Sequence, residues 1–150
     1  MKIATIAYLA GILDGEGTVN IAHLIKRDEY SLRLQIVNTD KRLIDWLGAN
    51  FKGHIYEVKG HRRNNPRWRT RYEYFFFPKK DNLPLLKAML PFLICKKEQV
   101  ELAIRFIETI GQKDGIRLTR AAYETRKECK ARLNVLNARG VKHEDRASND

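Results

Sequence analysis

The sequence predicts an α+β fold: an αββαββα unit with a four-stranded antiparallel sheet, helices on one face and extra helices at the C-terminus. Three observations carry this reading. Two β-prone segments lie close together between residues 18 and 37, and two more between 53 and 77. A helix-periodic stretch precedes each pair. Short polar or basic turns join the members of each pair, the mark of hairpins, and hairpins build antiparallel sheets that helices cover on one side.

The elements follow in order. Ile3 to Leu13 is apolar with small residues interleaved and reads as a largely buried helix, ended by Gly15 and Gly17. Thr18 to Ile25 is a strand with Val19 and Ile21 on one face and Thr18 and Asn20 on the other. After a polar turn at Lys26 to Glu29, Tyr30, Leu32, Leu34 and Ile36 alternate with Ser31, Arg33, Gln35 and Val37. Asp40 to Phe51 takes helical spacing through Leu43, Ile44, Leu47 and Phe51, with Thr39 as the expected cap. Gly53 to Lys59 returns to strand, Gly60 to Pro66 is a basic turn, and Trp68 to Phe77 is the fourth strand. Asn82 to Leu90 and Cys95 to Ile110 are helices broken at Pro91, Gly111 to Gly115 a linker, and Leu118 to Asn137 a polar, basic helix. One domain is expected over 1–139, with a disordered tail over 140–150.

Composition narrows the function. The 29 Lys and Arg against 18 Asp and Glu leave a net charge of +11, which favours an extended polyanion, and nucleic acid is the commonest one. No run is long and apolar enough for a membrane span, and the first ten residues do not read as a signal peptide. Cys95 and Cys129 are too far apart for a CxxC motif and read as free thiols in a reducing compartment. His23, His54, His61 and His143 lack the spacing of a zinc site. The compartment itself, organellar or prokaryotic cytoplasm, is not legible.

The sharpest signal is Leu9-Ala10-Gly11-Ile12-Leu13-Asp14-Gly15-Glu16-Gly17 at the end of the first helix. It resembles the signature of the LAGLIDADG homing endonucleases, with Leu13 for Ile, Gly15 for Ala and Glu16 for Asp. The layout of nearly the whole chain agrees with that family. Physically, Ala7, Ala10 and Gly11 are small residues about a turn apart that let another helix approach closely, and Asp14 lies near the helix end. Glu16, where the chain leaves for the sheet, offers hard oxygen ligands to Mg²⁺.

The resemblance implies a metal-dependent phosphodiester hydrolase cutting both strands of a long pseudo-palindromic duplex. A single motif implies a homodimer through Ala7, Ala10, Gly11 and Asp14, which brings two copies of Glu16 beside two scissile phosphates. The implied metal positions are Glu16 and Gly15, for Mg²⁺, with Mn²⁺ or Ca²⁺ substituting in binding. Matching the family pattern around Leu34 to Asn38 and Pro91 to Lys96 assigns Asn38 to orient water and Lys96 to stabilise phosphorane charge. Arg42, one turn from Asn38, would support the solvent network. Two alternatives stay open: a DNA-binding protein of the same fold without cleavage, and a maturase with host intron RNA as partner.

An antiparallel sheet can lie in the major groove and offer alternate side chains to base edges. The polar faces supply Thr18, Asn20, Ser31, Arg33, Gln35, Arg69, Arg71 and Glu73. On the third strand either His54 and Tyr56 or Glu57 and Lys59 face the groove; the former is favoured because Ile55 then joins the core. Lys59, His61, Arg62, Arg63 and Arg67 in the basic loop, and Arg139 with Lys142, are expected to meet phosphates. The aromatic run Tyr72 to Phe77 reads as core, not as a stacking platform, because it alternates faces.

Overall fold

The computed structural model describes residues 2–59, 69–110 and 118–138. Its order is α1 (Ile3–Glu16), β1 (Gly17–Leu24), β2 (Glu29–Asn38), α2 (Lys41–Asn50), β3 (Gly53–Val58), β4 (Arg71–Phe76), α3 (Leu83–Met89), α4 (Lys97–Glu108) and α5 (Arg120–Leu136). The αββαββα unit with further C-terminal helices is therefore present. The sheet runs β1-β2-β4-β3 with every neighbouring pair antiparallel.

Register assigns each side chain a side of the sheet. Val19 lies opposite Leu34 and Ile21 opposite Leu32, and Ile36 faces Tyr74 across β2 and β4. All of these are buried, as are Leu9, Leu13, Ile44, Leu47, Leu86, Val100 and Ile107 of the helices. Together they form one core between the sheet and the helical layer. The other sheet face carries Thr18, Asn20, Ser31 and Arg33, all exposed, with Gln35 half-buried. No helix covers that face among the described residues, as is common for an antiparallel sheet with one solvated side.

The edge strand β1 is closed by α5. The Lys130 ammonium donates to the Ile21 carbonyl at 3.3 Å and the Asn137 amide to the Val19 carbonyl at 2.9 Å. At the hairpin tip, Asp28 sits in the left-handed region at φ 49° and accepts from the Tyr123 hydroxyl at 2.8 Å. His23 Nε2 bonds the same carboxylate oxygen at 2.8 Å. The Tyr123 bond first, then that of His23, holds the Asp28 carboxyl below its ordinary pKa. Ion pairs bridge the helices: Lys87–Glu108 between α3 and α4, and Arg105–Glu128 and Arg132–Glu98 between α4 and α5.

Five expectations change. Helix α1 runs on through Gly15 to Glu16 instead of ending after Leu13, and Gly17 alone follows its end. The cap of α2 is Asp40, not Thr39: its carboxylate accepts from the Arg42 amide at 2.9 Å. Strand β4 begins at Arg71, and Arg69 and Thr70 stand outside it. Helix α4 begins at Lys97 instead of Cys95, because residues 94–96 form the loop that Asp14 holds. Ile55 does point to the core side, opposite Tyr74, but remains 42% exposed. β3 is an edge strand, and Gly48 of α2 sits against Ile55, where an added Cβ would lie 2.7 Å from its side chain.

Candidate active site and nucleic-acid interface

The motif helix ends against the loop before α4. The Asp14 carboxylate accepts from the backbone amides of Ile94 at 2.7 Å, Cys95 at 3.2 Å and Lys96 at 2.9 Å. These amides belong to the loop that leads into α4, with Lys96 as its N-cap residue, so Asp14 fixes the entry to that helix from another element. In return the Lys96 ammonium donates to the Asp14 carbonyl. That carbonyl belongs to the last turn of α1, where a cation also meets the negative end of the helix dipole.

Glu16 is the final residue of α1, exposed, with no hydrogen-bond or ion-pair partner among the described residues. α1 has no basic residue of its own in its last turn. The carboxylate thus adds negative charge to a helix end that already carries it. Gly17 follows at once into β1. A Cβ there would lie 2.4 Å from the Leu13 carbonyl oxygen, so the direct passage from helix to strand requires glycine.

Gly17 lies opposite Ile36, which puts Glu16 and Asn38 at the same end of the β1–β2 ladder. The Asn38 side-chain oxygen accepts from the Asp40 amide at 2.8 Å. Its NH₂ group has no acceptor among the described residues. Arg42 is turned away onto Asp40, its guanidinium donating to both carboxylate oxygens, and is 91% exposed. That guanidinium holds the Asp40 carboxyl down at a pKa of about 2.

The expected dimer residues separate. Gly11 is exposed and Ala7 and Asp14 half-buried, but Ala10 is fully buried in the chain's own core. Helical spacing puts Ala4, Tyr8, Gly11 and Gly15 along one exposed side of α1 instead. Tyr8 is 56% and Ile3 71% exposed, and an added Cβ at Gly11 or Gly15 would meet nothing within 4 Å.

On the open sheet face Thr18 lies opposite Gln35 and Asn20 opposite Arg33; Ser31 is on the same side. His54 pairs with Phe75 and Tyr56 with Glu73, which sets both on this face as favoured. Arg71 donates to Glu73 at 2.9 Å, and Arg69 is exposed. Phe75 stands on this face too, opposite Gln35 and His54, where the alternation of the fourth strand places it, although the aromatic run as a whole reads as core from the sequence. Arg62, Arg63, Arg139 and Lys142, with His61 and Arg67, lie outside the described residues.

No cluster of three or more His, Cys, Asp or Glu side chains that could hold a metal ion exists among the described residues, nor any helix able to cross a membrane. Glu16 and the Gly15 carbonyl, at a helix end with no further amide to bind it, are hard oxygen donors. They fit a divalent ion that completes its shell with water and phosphate oxygens.

This architecture is the fold of the LAGLIDADG homing endonucleases. The chain is similar to I-CvuI bound to the I-CreI target in 2 mM Mg with the DNA not cleaved, at 21% identity and TM-score 0.51, over 87% of this chain and 95% of that one. I-CvuI bound to its own target in 2 mM Ca matches at 21% identity and TM-score 0.51, over 88% and 96%. I-GzeII in complex with its DNA target matches at 20% identity and TM-score 0.57, over 89% of this chain but 44% of that longer one. No family model and no curated protein sequence matches.

Proposed function

We propose that this chain is a site-specific double-strand DNA endonuclease that works as a homodimer with divalent metal ions, of the single-motif LAGLIDADG type. The observation that carries the reading is Glu16: an unpaired, exposed carboxylate at the negative end of α1, with the Lys96 ammonium anchored two residues away on the Asp14 carbonyl. A carboxylate kept there against the dipole is stabilised by a cation from outside the chain.

Glu16 and the Gly15 carbonyl would hold the ion, and Asn38 would donate its free NH₂ group to the attacking water. A divalent ion supplies acidity to bound water and neutralises charge on the leaving oxygen. The water oxygen bonds to phosphorus, the bond from phosphorus to one sugar oxygen breaks, and no covalent enzyme intermediate forms. Lys96 stabilises the charge that develops on the phosphoryl oxygens. Arg42 reaches this solvent network only after releasing Asp40.

Two subunits supply two such sites. Gly11 and Gly15 serve no steric need within the chain, although glycine in a helix costs about 0.5–1 kcal/mol relative to alanine. Close approach of a second α1 along Ala4, Ala7, Tyr8, Gly11 and Gly15 accounts for them. The open sheet face then enters the major groove, where Thr18, Asn20, Ser31, Arg33, Gln35, His54, Tyr56, Arg69, Arg71 and Glu73 meet base edges. Arg62, Arg63, Arg139 and Lys142 contact phosphates, and I-CvuI and I-GzeII, which carry the same fold, are themselves bound to DNA targets.

The test selects a target from a randomised duplex library and assays cleavage with Mg²⁺, Mn²⁺ and Ca²⁺. Glu16→Gln should abolish cutting and leave affinity unchanged or higher. A Glu16→Gln protein that cuts at the wild-type rate would sink the metal-ligand role. A wild type that binds one sequence and never cuts would instead establish the non-cleaving alternative.

A further inference from the structure

We infer that Phe75 and Tyr56 form an apolar contact surface across β4 and the edge strand β3 of the open sheet face that reads the C5 methyl groups of thymine. The inference rests on the proposed groove-facing role of this face. Phe75 lies in β4 between Gln35 of β2 and His54 of β3. Tyr56 meets its ring edge-on with centroids 5.3 Å apart, and the Arg33 guanidinium carbon lies 5.7 Å from its centroid. His54 adds to the row, 4.5 Å from the ring of Phe77 and 6.2 Å from that of Tyr56. These cross-strand ring contacts stabilise the sheet, but they leave apolar ring surface facing outward: Tyr56 is 54% exposed and Phe75 half-buried.

The chemistry selects the ligand group. Phe75 is flanked on both sides, so no base can slide between the rings, and a duplex presents base edges and not base faces. In the major groove the thymine methyl is the apolar feature of those edges. The cross-strand neighbour of Phe75 supports an A·T step. Gln35 is half-buried on this face, and its side-chain oxygen, buried with no partner among the described residues, is free to swing outward, where a Gln amide pairs with the N6 and N7 edge of adenine. An apolar patch beside an unsatisfied amide therefore matches a thymine methyl beside an adenine edge. Guanine offers the patch only the polar N7 and O6 to desolvate, and cytosine a polar N4 amino group beside a C5–H that lacks the methyl.

The experiment uses the duplex that the full chain selects from a randomised library, with binding measured at fixed salt. Selection should enrich thymine at one or two adjacent positions in each half-site. Replacing those thymines by deoxyuridine removes the methyl and keeps every hydrogen-bonding group. Wild type should weaken by roughly three- to fivefold per methyl, the scale of uncovering one methyl group. Phe75→Ala should bind more weakly and lose its sensitivity to deoxyuridine, and Tyr56→Ala, on the edge strand, should lose part of it. A wild type indifferent to deoxyuridine at every enriched position overturns the inference, as does a folded Phe75→Ala protein that keeps full sensitivity. Failure to enrich any sequence would overturn the groove-facing reading of the whole face, and this inference with it.

Discussion

Asp14 and Lys96 grip each other twice: the Asp14 carboxylate accepts the Lys96 amide at 2.9 Å, and the Asp14 carbonyl accepts the Lys96 ammonium. One residue of the motif helix thus sets both the backbone and the side chain of the candidate catalytic lysine. Removing Lys96 as Lys96→Met should lower the single-turnover cleavage rate by roughly 10²–10³ while affinity changes little, the scale of losing one electrostatic stabiliser. Parallel binding and rate measurements decide it. Equal losses in both would mark Lys96 as an ordinary phosphate contact.

Asp14 should matter to folding as well as to the site. Asp14→Ala leaves the amides of Ile94, Cys95 and Lys96 without their acceptor. Lost charge-assisted bonds at a partly exposed site should cost about 1–3 kcal/mol in denaturant unfolding. Asp14→Asn keeps one acceptor oxygen and should lose less. Unchanged unfolding in both variants would show that the 94–96 loop holds itself.

Gly11 separates folding from assembly. An added side chain there meets nothing within 4 Å in the chain itself. Gly11→Leu should keep the helical circular dichroism of the wild type yet drive two α1 helices apart, overpacking of about 1–3 kcal/mol. Sedimentation should give a dimer for wild type and a monomer for the variant. A monomeric wild type that still cuts both strands would remove the homodimer.

Asp40 gives a pH signature. Its carboxyl titrates at about 2 instead of the ordinary 3.8, chiefly through the Arg42 guanidinium. A depressed carboxyl contributes its stabilisation of the α2 cap above the unfolded value and loses it as pH falls through the folded one. The window is therefore between about pH 4 and 2. Arg42→Ala should return the Asp40 titration towards 3.8, read by carbon NMR of the carboxyl. A value that stays near 2 would assign the shift to the backbone amide of Arg42 instead.

Periodicity made the sheet legible: the alternation of Tyr30 to Ile36 sets register, and register sets which residues face outward. The motif likewise located Glu16 at the helix end. Three things were not accessible. Ala10 belongs to the core, but a helix apolar on most sides gives no moment by which to choose among its small residues. The partners of Asp14 lie some eighty positions away in sequence, so local patterning points to none of them. Thr39 and Asp40 are both good caps, and only the observed backbone chooses between them.

The ion pairs that bridge α3, α4 and α5 have an effect beyond holding those helices together. A net charge of +11 spread evenly would draw a polyanion to any side of the molecule. Lys87, Arg105 and Arg132 are each neutralised locally by a glutamate on a neighbouring helix, so their fields fade within a few ångströms of the helical layer. Cations without such a partner, Arg33 and Arg69 of the sheet as well as Lys97 and Lys127 of the helices, carry the field that reaches further. On the proposed DNA-binding reading, a duplex that meets the helical layer at these pairs finds three cations already neutralised and gains less from staying there.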